Sequence, residues 1–223
     1  MLGVEIFPAD VALTEVNTFA RQYAPEAAIV SSVAAPAEEW TARLAQELRF
    51  VTALTAELPL PFINTYTTPH TLGKDRLAAV AGAQAFFPSS ACVVVDCGTC
   101  IKYEVLHADG RYLGGNISPG LQMRTRAMHT FTARLPEVPL HFPEAIIGNS
   151  TTTALQNGAF GGAVLEILGF VARFESILNS EVQVILTGGD AIGIQPHLLL
   201  PRLTVEPYLT LIGLNHILIH NQK

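Results

Sequence analysis

Residues 96–120, DCGTCIKYEVLHADGRYLGGNISPG, carry the chemistry around which the rest of the chain is arranged. An apolar run ends abruptly at Asp96, and the small residues Gly98 and Thr99 follow it. A second extended run then leads to residues 109–110, an Asp-Gly pair that is typical of a tight hairpin turn. The sequence therefore predicts a buried strand that delivers a carboxylate, a glycine and a hydroxyl group to the mouth of a β-hairpin.

These three groups are the parts of a phosphate-binding turn. Glycine lets backbone N–H groups come close to an anion. Threonine offers a hydroxyl group to a phosphate or a metal ion, and aspartate can hold a cation. The alternative is a plain hairpin in which the aspartate and threonine only satisfy the backbone of the turn.

The composition narrows the class of protein. The chain has 223 residues, of which 49% are hydrophobic and 14% charged, so we expect one large domain or two small ones with a sizeable core. The net charge is −6 with no cluster of lysine and arginine, which argues against nucleic acid or an anionic membrane as a partner. We find no signal peptide and no apolar run of membrane-spanning length, so we expect a cytoplasmic protein.

The cysteines and histidines give no sign of a metal centre. Cys92, Cys97 and Cys100 match three positions of an iron–sulfur pattern, C-x4-C-x2-C, but the chain has no fourth cysteine. Free buried thiols are the better interpretation. The seven histidines are scattered singly, without the spacing of metal ligands.

Helix-like and strand-like segments alternate along the chain, which predicts an α/β protein with mixed sheets. The predicted helices cover residues 14–23, 38–48, 75–87, 119–135, 150–178 and 208–220. The predicted strands cover residues 4–7, 27–33, 50–54, 91–95, 101–107 and 182–186. The proline- and threonine-rich loop 58–71 is long for a linker and is a candidate functional loop.

Residues 69–76, PHTLGKDR, form a segment that is specific enough to compare with a known family. This segment resembles the P-x-x-L/V-G-x-D-R pantothenate-site motif of type III pantothenate kinases. Further motifs of the same family follow in order, so that the resemblance covers roughly residues 28–219. These motifs lie at residues 96–99, 112–120, 131–136, 147–151, 156–158, 185–189 and 209–214.

The resemblance implies the actin-like, acetate-and-sugar-kinase fold. That fold has two ribonuclease-H-like domains, here expected at residues 1–90 and 91–223, with ATP between them. The implied activity is ATP-dependent phosphorylation of pantothenate to 4'-phosphopantothenate, the first step of coenzyme A biosynthesis. The implied cofactors are ATP with Mg²⁺ and a monovalent cation, K⁺ or NH₄⁺, and a homodimer is expected.

The resemblance also implies roles for individual residues on the substrate side. Asp75 matches the family's proton acceptor, the carboxylate that faces the attacking hydroxyl group; the alternative is an aspartate that only complements the helix dipole. Arg76 could hold the pantothenate carboxylate by a two-pronged contact, and the alternative is a surface ion pair. The predicted substrate-binding residues are Tyr66, Gly73, Lys74, Asp75, Arg76 and Thr151.

On the nucleotide side, Asp96 matches the ligand of the monovalent cation. The predicted ATP-binding residues are Gly98, Thr99, Gly188 and Gly189. Two positions depart from the family pattern: Lys102 stands where a small or hydroxyl residue is usual, and Glu104 stands where aspartate is usual. The role of Lys102 is left open between a phosphate contact and a solvent-facing side chain.

A larger departure concerns the start of the chain. Family members begin with a strand, a D-x-G-N-T turn that holds the ATP phosphates, and a second strand, and this sequence has no such motif. We therefore expect the first domain to lack its first strands, either because the true start lies upstream or because the chain is short and catalytically impaired. The alternatives to a kinase are a pantothenate-kinase-like binding or regulatory protein and a sugar-kinase relative that acts on another small hydroxylated acid.

Overall fold

Strands and helices alternate along the chain in the computed structural model, which describes residues 3–6, 13–32, 37–142 and 145–222. The strands are β1 (Ala27–Val30), β2 (Phe50–Ala53), β3 (Ile63–Asn64), β4 (Cys92–Cys97), β5 (Cys100–Leu106), β6 (Arg111–Pro119), β7 (Gln183–Thr187) and β8 (Leu203–Val205). The helices are α1 (Leu13–Arg21), α2 (Glu38–Leu44), α3 (Lys74–Phe86), α4 (Leu121–Thr130), α5 (Thr151–Leu178), α6 (Ala191–Ile194) and α7 (Leu209–Asn221). Short 3₁₀ turns lie at Pro69–Thr71 and Gln195–His197.

The larger sheet has six strands in the order β3-β6-β5-β4-β7-β8. The pairs β4–β5 and β5–β6 are antiparallel, and the pairs β3–β6, β4–β7 and β7–β8 are parallel. A second sheet consists of β1 and β2, which are parallel. The predicted α/β class with mixed pairing and the predicted hairpin are therefore confirmed.

Several predicted elements are wrong in part. The strand predicted at 27–33 ends at Val30, and the helices predicted at 38–48 and 119–135 end at Leu44 and Thr130. Residues 4–6 have no regular secondary structure, and Phe7 lies outside the described residues. A strand needs a neighbour for its backbone N–H and C=O groups, and no described strand pairs with residues 4–6. The helix predicted from residue 119 begins at Leu121, because Pro119 still pairs with Cys100 as the last residue of β6.

The six-stranded sheet is covered on both faces, since successive strand residues point to opposite sides. Val93 and Val95 point to the face that α5 covers. Cys92 and Val94 point to the opposite face, where α3 and α7 pack. Burial in these two cores raises the pKa of Cys92 to about 12, so that thiol is inert at neutral pH.

The other cysteines complete this picture. Cys97 is also buried, and burial together with the nearby charges of Asp96 and Asp190 raises its pKa to about 12. Cys100 is half-buried rather than buried. The expected free thiols are thus confirmed, and the expectation that all three are buried is wrong for Cys100.

The domain boundary expected at residue 90 separates elements that pack together. β3 pairs with β6, and α3 shares one core with residues of β4, β6 and α7. The division of the chain into domains stays a prediction.

Among the described residues, no helix is both long and apolar enough to cross a membrane.

Candidate active site

The candidate site begins at the N-terminus of α3. Gly73 is the residue before the helix, and Asp75 lies in its first turn. A Cβ atom on Gly73 would lie 2.5 Å from Oδ1 of Asp75, so only glycine leaves the Asp75 carboxylate in its place. The carboxylate also benefits from the positive end of the helix dipole. Asp75 therefore stabilises the start of α3 from the same position in which it is predicted to act as the proton acceptor.

Lys102 joins Asp75 to the end of β4. In the antiparallel ladder Lys102 lies directly opposite Asp96. Its Nζ atom lies 2.7 Å from Oδ2 of Asp96 and 2.5 Å from Oδ2 of Asp75. The side chains of Lys102 and Asp96 are 20% and 19% exposed, and that of Asp75 is 43% exposed. Lys102 thus points neither to open solvent nor away from the site but bridges two predicted site residues.

The bridge sets the ionisation of its members. Burial by itself would raise the pKa of Asp75, but the hydrogen bond and the charge of Lys102, with help from backbone N–H groups, bring that pKa below its ordinary value. Burial would likewise lower the pKa of Lys102, but hydrogen bonds to Asp75 and Asp96 and the charges of both carboxylates raise it above its ordinary value. At neutral pH the site therefore holds an ionised Asp75 and a protonated Lys102.

Arg76, the neighbour of Asp75, faces a different partner. Its Nε and Nη2 atoms donate to the two carboxylate oxygens of Glu104 at 2.6 and 2.8 Å. Tyr112 donates a further 2.5 Å hydrogen bond to Glu104. Burial raises the pKa of Glu104, while the bonds from Arg76 and Tyr112 oppose that rise. Both members of the pair are buried, at 6% and 1% exposed.

This geometry corrects the alternative interpretation of Arg76 as a surface ion pair, while its contact with the pantothenate carboxylate stays a prediction. The ion pair is in the interior, not at the surface. The guanidinium edge that would grip a substrate carboxylate with Nε and Nη2 is already bound to Glu104. The guanidinium carbon lies 5.4 Å from the ring centre of Tyr66, so a cation–π contact links these two predicted substrate residues.

The other two predicted substrate residues, Lys74 and Thr151, are not part of the bridge. The Nζ atom of Lys74 donates a 3.1 Å hydrogen bond to the backbone carbonyl of Ser32, which follows β1. Thr151 is exposed in the first turn of α5, after the N-cap Ser150. Among the described residues, no hydrogen bond joins Thr151 to Asp75, Lys102 or Asp96.

The turn after β7 closes the site from the other side. Gly188 has a φ of +90°, a backbone conformation that residues with a side chain rarely adopt. A Cβ atom at this position would lie 2.6 Å from Oδ1 of Asp96. The backbone N–H of Asp190 donates to the carbonyl of Cys97 at 2.9 Å. The two predicted phosphate turns, after β4 and after β7, therefore lie side by side, as their parallel pairing requires.

A cleft of about 670 Å³ opens beside these turns. That volume lies in the range of small-molecule and cofactor sites. Gly98, Thr99 and Gly189 line it, which brings three of the four predicted ATP-binding residues to one surface. The remaining lining residues are Gln122, Met123, Arg126, Ala127, Thr130, Phe131, Leu140 and Asp190.

Sequence reasoning missed two residues of this cleft. Arg126 brings a positive charge to it from α4. Asp190 brings a carboxylate, and burial raises its pKa. The signal for Asp190 was its place directly after the predicted turn at residues 187–189; for Arg126 there was no local signal, because only the fold brings α4 to the turns.

No group of three or more His, Cys, Asp or Glu side chains in the described part of the chain is arranged to hold a metal ion. Mg²⁺ in kinases is bound by one or two carboxylates together with the substrate phosphates, so it needs no such cage. Asp190 is the carboxylate that lines the cleft, and its position fits that requirement.

An ionised carboxylate at a helix N-terminus and a cleft lined by glycine and threonine suit phosphoryl transfer, in which positioning and charge do most of the work. The model of the type III pantothenate kinase family matches residues 9–173. A type III pantothenate kinase of Bacteroides fragilis is 39% identical over 216 residues, which are 97% of this chain and 88% of that protein. The chain belongs to the type III pantothenate kinase family, a family of kinases that, as such, use ATP and a divalent metal ion.

Other comparisons agree with this assignment. A type III pantothenate kinase of Phocaeicola vulgatus is 41% identical over 170 residues, 76% of this chain and 69% of that protein. A solved structure from Campylobacter jejuni, described as a Baf family transcriptional activator, superposes with a TM-score of 0.60 at 22% identity and covers 93% of this chain and 88% of its own. An Alp12 filament subunit gives a TM-score of 0.50 at 11% identity, covering 95% of this chain and 75% of its own. Those two structures bear on the fold alone, which is an α/β fold of the actin-like ATPase class.

Proposed function

We propose that this chain transfers the γ-phosphoryl group of ATP to the hydroxyl group of pantothenate. The product is 4'-phosphopantothenate, and the reaction is the first step of coenzyme A biosynthesis in the cytoplasm. Membership of the type III pantothenate kinase family supports this substrate. The observation that carries the proposal is the ionised Asp75 at the start of α3, held by Lys102. Lys102 also pairs with Asp96, which precedes the cleft-lining residues Gly98 and Thr99 by two and three positions.

Asp75 acts on the attacking hydroxyl group. Its carboxylate accepts the hydroxyl hydrogen bond and thereby points the oxygen at the γ-phosphorus. Because its pKa is below the ordinary value, Asp75 is a weak base, and orientation contributes more than early proton removal. As the new O–P bond forms, the bond from the γ-phosphorus to the β–γ bridging oxygen breaks, ADP leaves with that bond's electron pair, and the hydroxyl proton passes to the Asp75 carboxylate. A loose transition state of this kind needs positioning more than covalent help.

The nucleotide side relies on backbone groups and a hydroxyl. Gly98 and Gly189 let N–H groups approach the phosphates, and Thr99 offers its hydroxyl group. Gly188 maintains the turn that holds Asp96 in place. Asp190 would hold the Mg²⁺ that accompanies ATP, and that ion supplies charge neutralisation on the phosphates when bound.

The pantothenate side uses the remaining predicted residues. Tyr66 and Lys74 lie on the α3 side of the site, and we propose that they contact the substrate. Arg76 acts through Tyr66 and Glu104, because its own Nε–Nη2 edge is occupied. Thr151 supplies a hydroxyl group from the exposed start of α5.

We also propose a homodimer that packs through α5. Gly158, Gly162, Leu165 and Gly169 are spaced four, three and four residues apart and so share one face of the helix. A Cβ atom on any of these three glycines would meet nothing within 4 Å in the described structure. Leu165 on the same face is 61% exposed. Small residues with space above them, around an exposed leucine, suit close packing of a second copy.

A product assay tests the substrate assignment. The purified chain is incubated with ATP, Mg²⁺ and either pantothenate, pantoate or a simple sugar, and phosphorylated product is detected directly by mass spectrometry. We expect 4'-phosphopantothenate with pantothenate and no comparable product with the other acceptors. Preferential phosphorylation of another acceptor would overturn pantothenate as the substrate, and bound pantothenate without product would favour the non-catalytic binding protein.

Light scattering on a sizing column tests the dimer. Gly162→Trp places a bulky ring on the proposed face and should shift the protein from dimer to monomer, whereas Arg21→Trp is the control at an exposed position on α1. A monomeric wild-type protein would contradict the dimer proposal without affecting the reaction.

A further inference from the structure

The family resemblance predicts that Asp96 binds a monovalent cation, whereas in the structure the Asp96 carboxylate binds the side chain of Lys102. Oδ2 of Asp96 forms an ion pair with Nζ of Lys102 at 2.7 Å. Both side chains are about four-fifths buried. A free K⁺ ion on that oxygen would have to share its place with the ammonium group of Lys102, and two positive charges at that separation repel each other.

The other oxygen of Asp96, Oδ1, faces the turn after β7. A Cβ atom on Gly188 would approach it to 2.6 Å, so no side chain fits at that position. Oδ2 is occupied by the ammonium group of Lys102. With its Oδ2 oxygen paired to a fixed positive charge, Asp96 does not fit an exchangeable cation.

The ammonium group of Lys102 meets the same electrostatic need that such an ion would meet. Two carboxylates near each other disfavour each other's ionised form. Nζ of Lys102 lies between them, 2.5 Å from Asp75 and 2.7 Å from Asp96. A protonated amine is an ammonium ion on a carbon chain, with the charge of K⁺ and with N–H donors that point at both carboxylates.

The strand register explains why this lysine reaches both acids. Lys102 stands opposite Asp96 across the β4–β5 ladder, so the short hairpin turn fixes their separation. Lys102 and Glu104 are two residues apart on β5 and point to the same face, towards α3. Glu104 binds Arg76 and Lys102 binds Asp75, so neighbouring residues of α3 are held by alternate residues of one strand.

We propose that the Lys102 ammonium group replaces the exchangeable monovalent cation, so that Asp75, Lys102 and Asp96 form a built-in cation site and this kinase works without K⁺ or NH₄⁺. The statement about turnover rests on the proposed function; the statement about cation binding does not. Lys102 is a positioning residue, which keeps Asp75 ionised and aimed. Because the cation is part of the chain, it is present at full occupancy in any salt.

The first test uses the wild-type chain. Phosphopantothenate formation is measured directly, since coupling enzymes can themselves require potassium, in KCl, NH₄Cl, LiCl and choline chloride at equal ionic strength. We expect the same rate in all four salts. Binding of Tl⁺, a potassium surrogate, is followed in parallel by thallium NMR, and we expect no specific site. A rate that rises several-fold with K⁺, or a saturable Tl⁺ site removed by Asp96→Asn, would overturn the proposal.

The second test replaces Lys102 with uncharged residues, which removes the ammonium group from between Asp75 and Asp96. In choline chloride Lys102→Thr and Lys102→Gln should lose activity by about 10- to 100-fold, the usual effect of removing a charge-assisted hydrogen bond. K⁺ or NH₄⁺ should restore much of the activity of Lys102→Thr, which leaves more space, and should restore Lys102→Gln less. Lys102→Thr should also gain a Tl⁺ site that the double variant with Asp96→Asn lacks.

The controls distinguish the general loss of one positive charge from the loss of the ammonium group at the Lys102 position. Arg202→Thr removes one positive charge from an exposed ion pair with Glu181, and should show neither activity loss nor salt dependence. Folding is checked in every salt by circular dichroism. If Lys102→Thr is folded but gains neither rescue nor a Tl⁺ site, Lys102 is not a cation substitute, and a raised KM for ATP in that variant would assign it to the phosphates.

Failure of this proposal and failure of the proposed function give different results. If no form of the protein phosphorylates pantothenate, the proposed function fails. The thallium measurements still decide the cation question, because they need no turnover. If wild-type protein is active but potassium-dependent, the function stands and the built-in cation is wrong.

Discussion

Two ion pairs connect the start of α3 to β5, one beside the other, and they differ in burial. The inner pair, Arg76 with Glu104, is 6% and 1% exposed and is completed by Tyr112. The outer pair, Asp75 with Lys102, is 43% and 20% exposed and extends to Asp96. The inner pair is buried and fixes where α3 sits on the sheet. The outer pair is partly exposed, so its groups can exchange hydrogen bonds with water or with a bound molecule.

The difference teaches that neighbouring residues of one motif can have separate tasks. The same eight-residue segment supplies a buried cation at Arg76 and a partly exposed carboxylate at Asp75. Charges in the interior must be paired to be tolerated, whereas partly exposed charges can change partners during a reaction. Predictions about stability should therefore follow the inner pair, and predictions about turnover the outer pair.

The largest effect on stability is expected from breaking the inner pair. Arg76→Met leaves Glu104 charged and buried without its partner, and should lower the free energy of unfolding by about 3–5 kcal/mol. Urea unfolding followed by circular dichroism measures this. The double variant Arg76→Met with Glu104→Leu removes both charges and should recover most of the loss. If the single variant were as stable as wild type, the inner pair would not anchor α3.

A smaller effect is expected where the β7 turn touches the outer pair. Gly188→Ala forces a side chain into φ +90° and against Asp96. It should cost about 1–3 kcal/mol of stability. Gly189→Ala is the matched control, since a Cβ atom there meets nothing within 4 Å. Equal losses in both variants would mean that the turn, rather than its contact with Asp96, sets the cost.

The outer pair should affect the stability of the protein at low pH. The folded pKa of Asp75 lies below its ordinary value, so its stabilising contribution is complete above about pH 4, the unfolded pKa. That contribution is lost as the pH falls through the lower, folded pKa. Lys102→Gln removes the main partner and should move acid unfolding to higher pH. An acid titration that matches that of Arg202→Gln would contradict the coupling.

The smallest effect on stability is expected at another arginine–glutamate pair, which lies on the surface. Arg21 binds Glu47 with the same two nitrogens, Nε and Nη2, at 3.1 and 2.9 Å. It differs from the inner pair in being at the surface, with Arg21 70% exposed. Surface pairs contribute little because water competes for both charges. Arg21→Met should therefore leave the urea midpoint unchanged, and a loss comparable to that of Arg76→Met would show that burial is not what separates the pairs.

Much of this arrangement could be predicted from the sequence. Asp96, Gly98 and Thr99 end a strand in the order that a phosphate turn needs. The structure places Asp96 near the end of β4 and places Gly98 and Thr99 in the lining of the cleft. The segment around Asp75 was recognisable by its motif. Both features are local, so short stretches of sequence were enough to find them.

The bridging role of Lys102 depends on strand register, which local patterns left undetermined. A signal was present, because Lys102 and Glu104 are two charged residues at alternate positions of an otherwise apolar strand. That pattern indicates one polar face with partners opposite it. The partners come from α3, which lies more than 20 residues away in sequence, and only the fold names them.

The most direct test of the central claim compares Asp75→Asn with wild type for phosphopantothenate formation, pantothenate binding and urea stability. Asp109→Asn is the control, since Asp109 lies in the exposed hairpin turn. The account predicts that Asp75→Asn loses about 100-fold or more in turnover, while the protein stays folded and still binds pantothenate, and Asp109→Asn stays active. Near-normal turnover in folded Asp75→Asn would contradict the assignment of Asp75 and with it the account of the site.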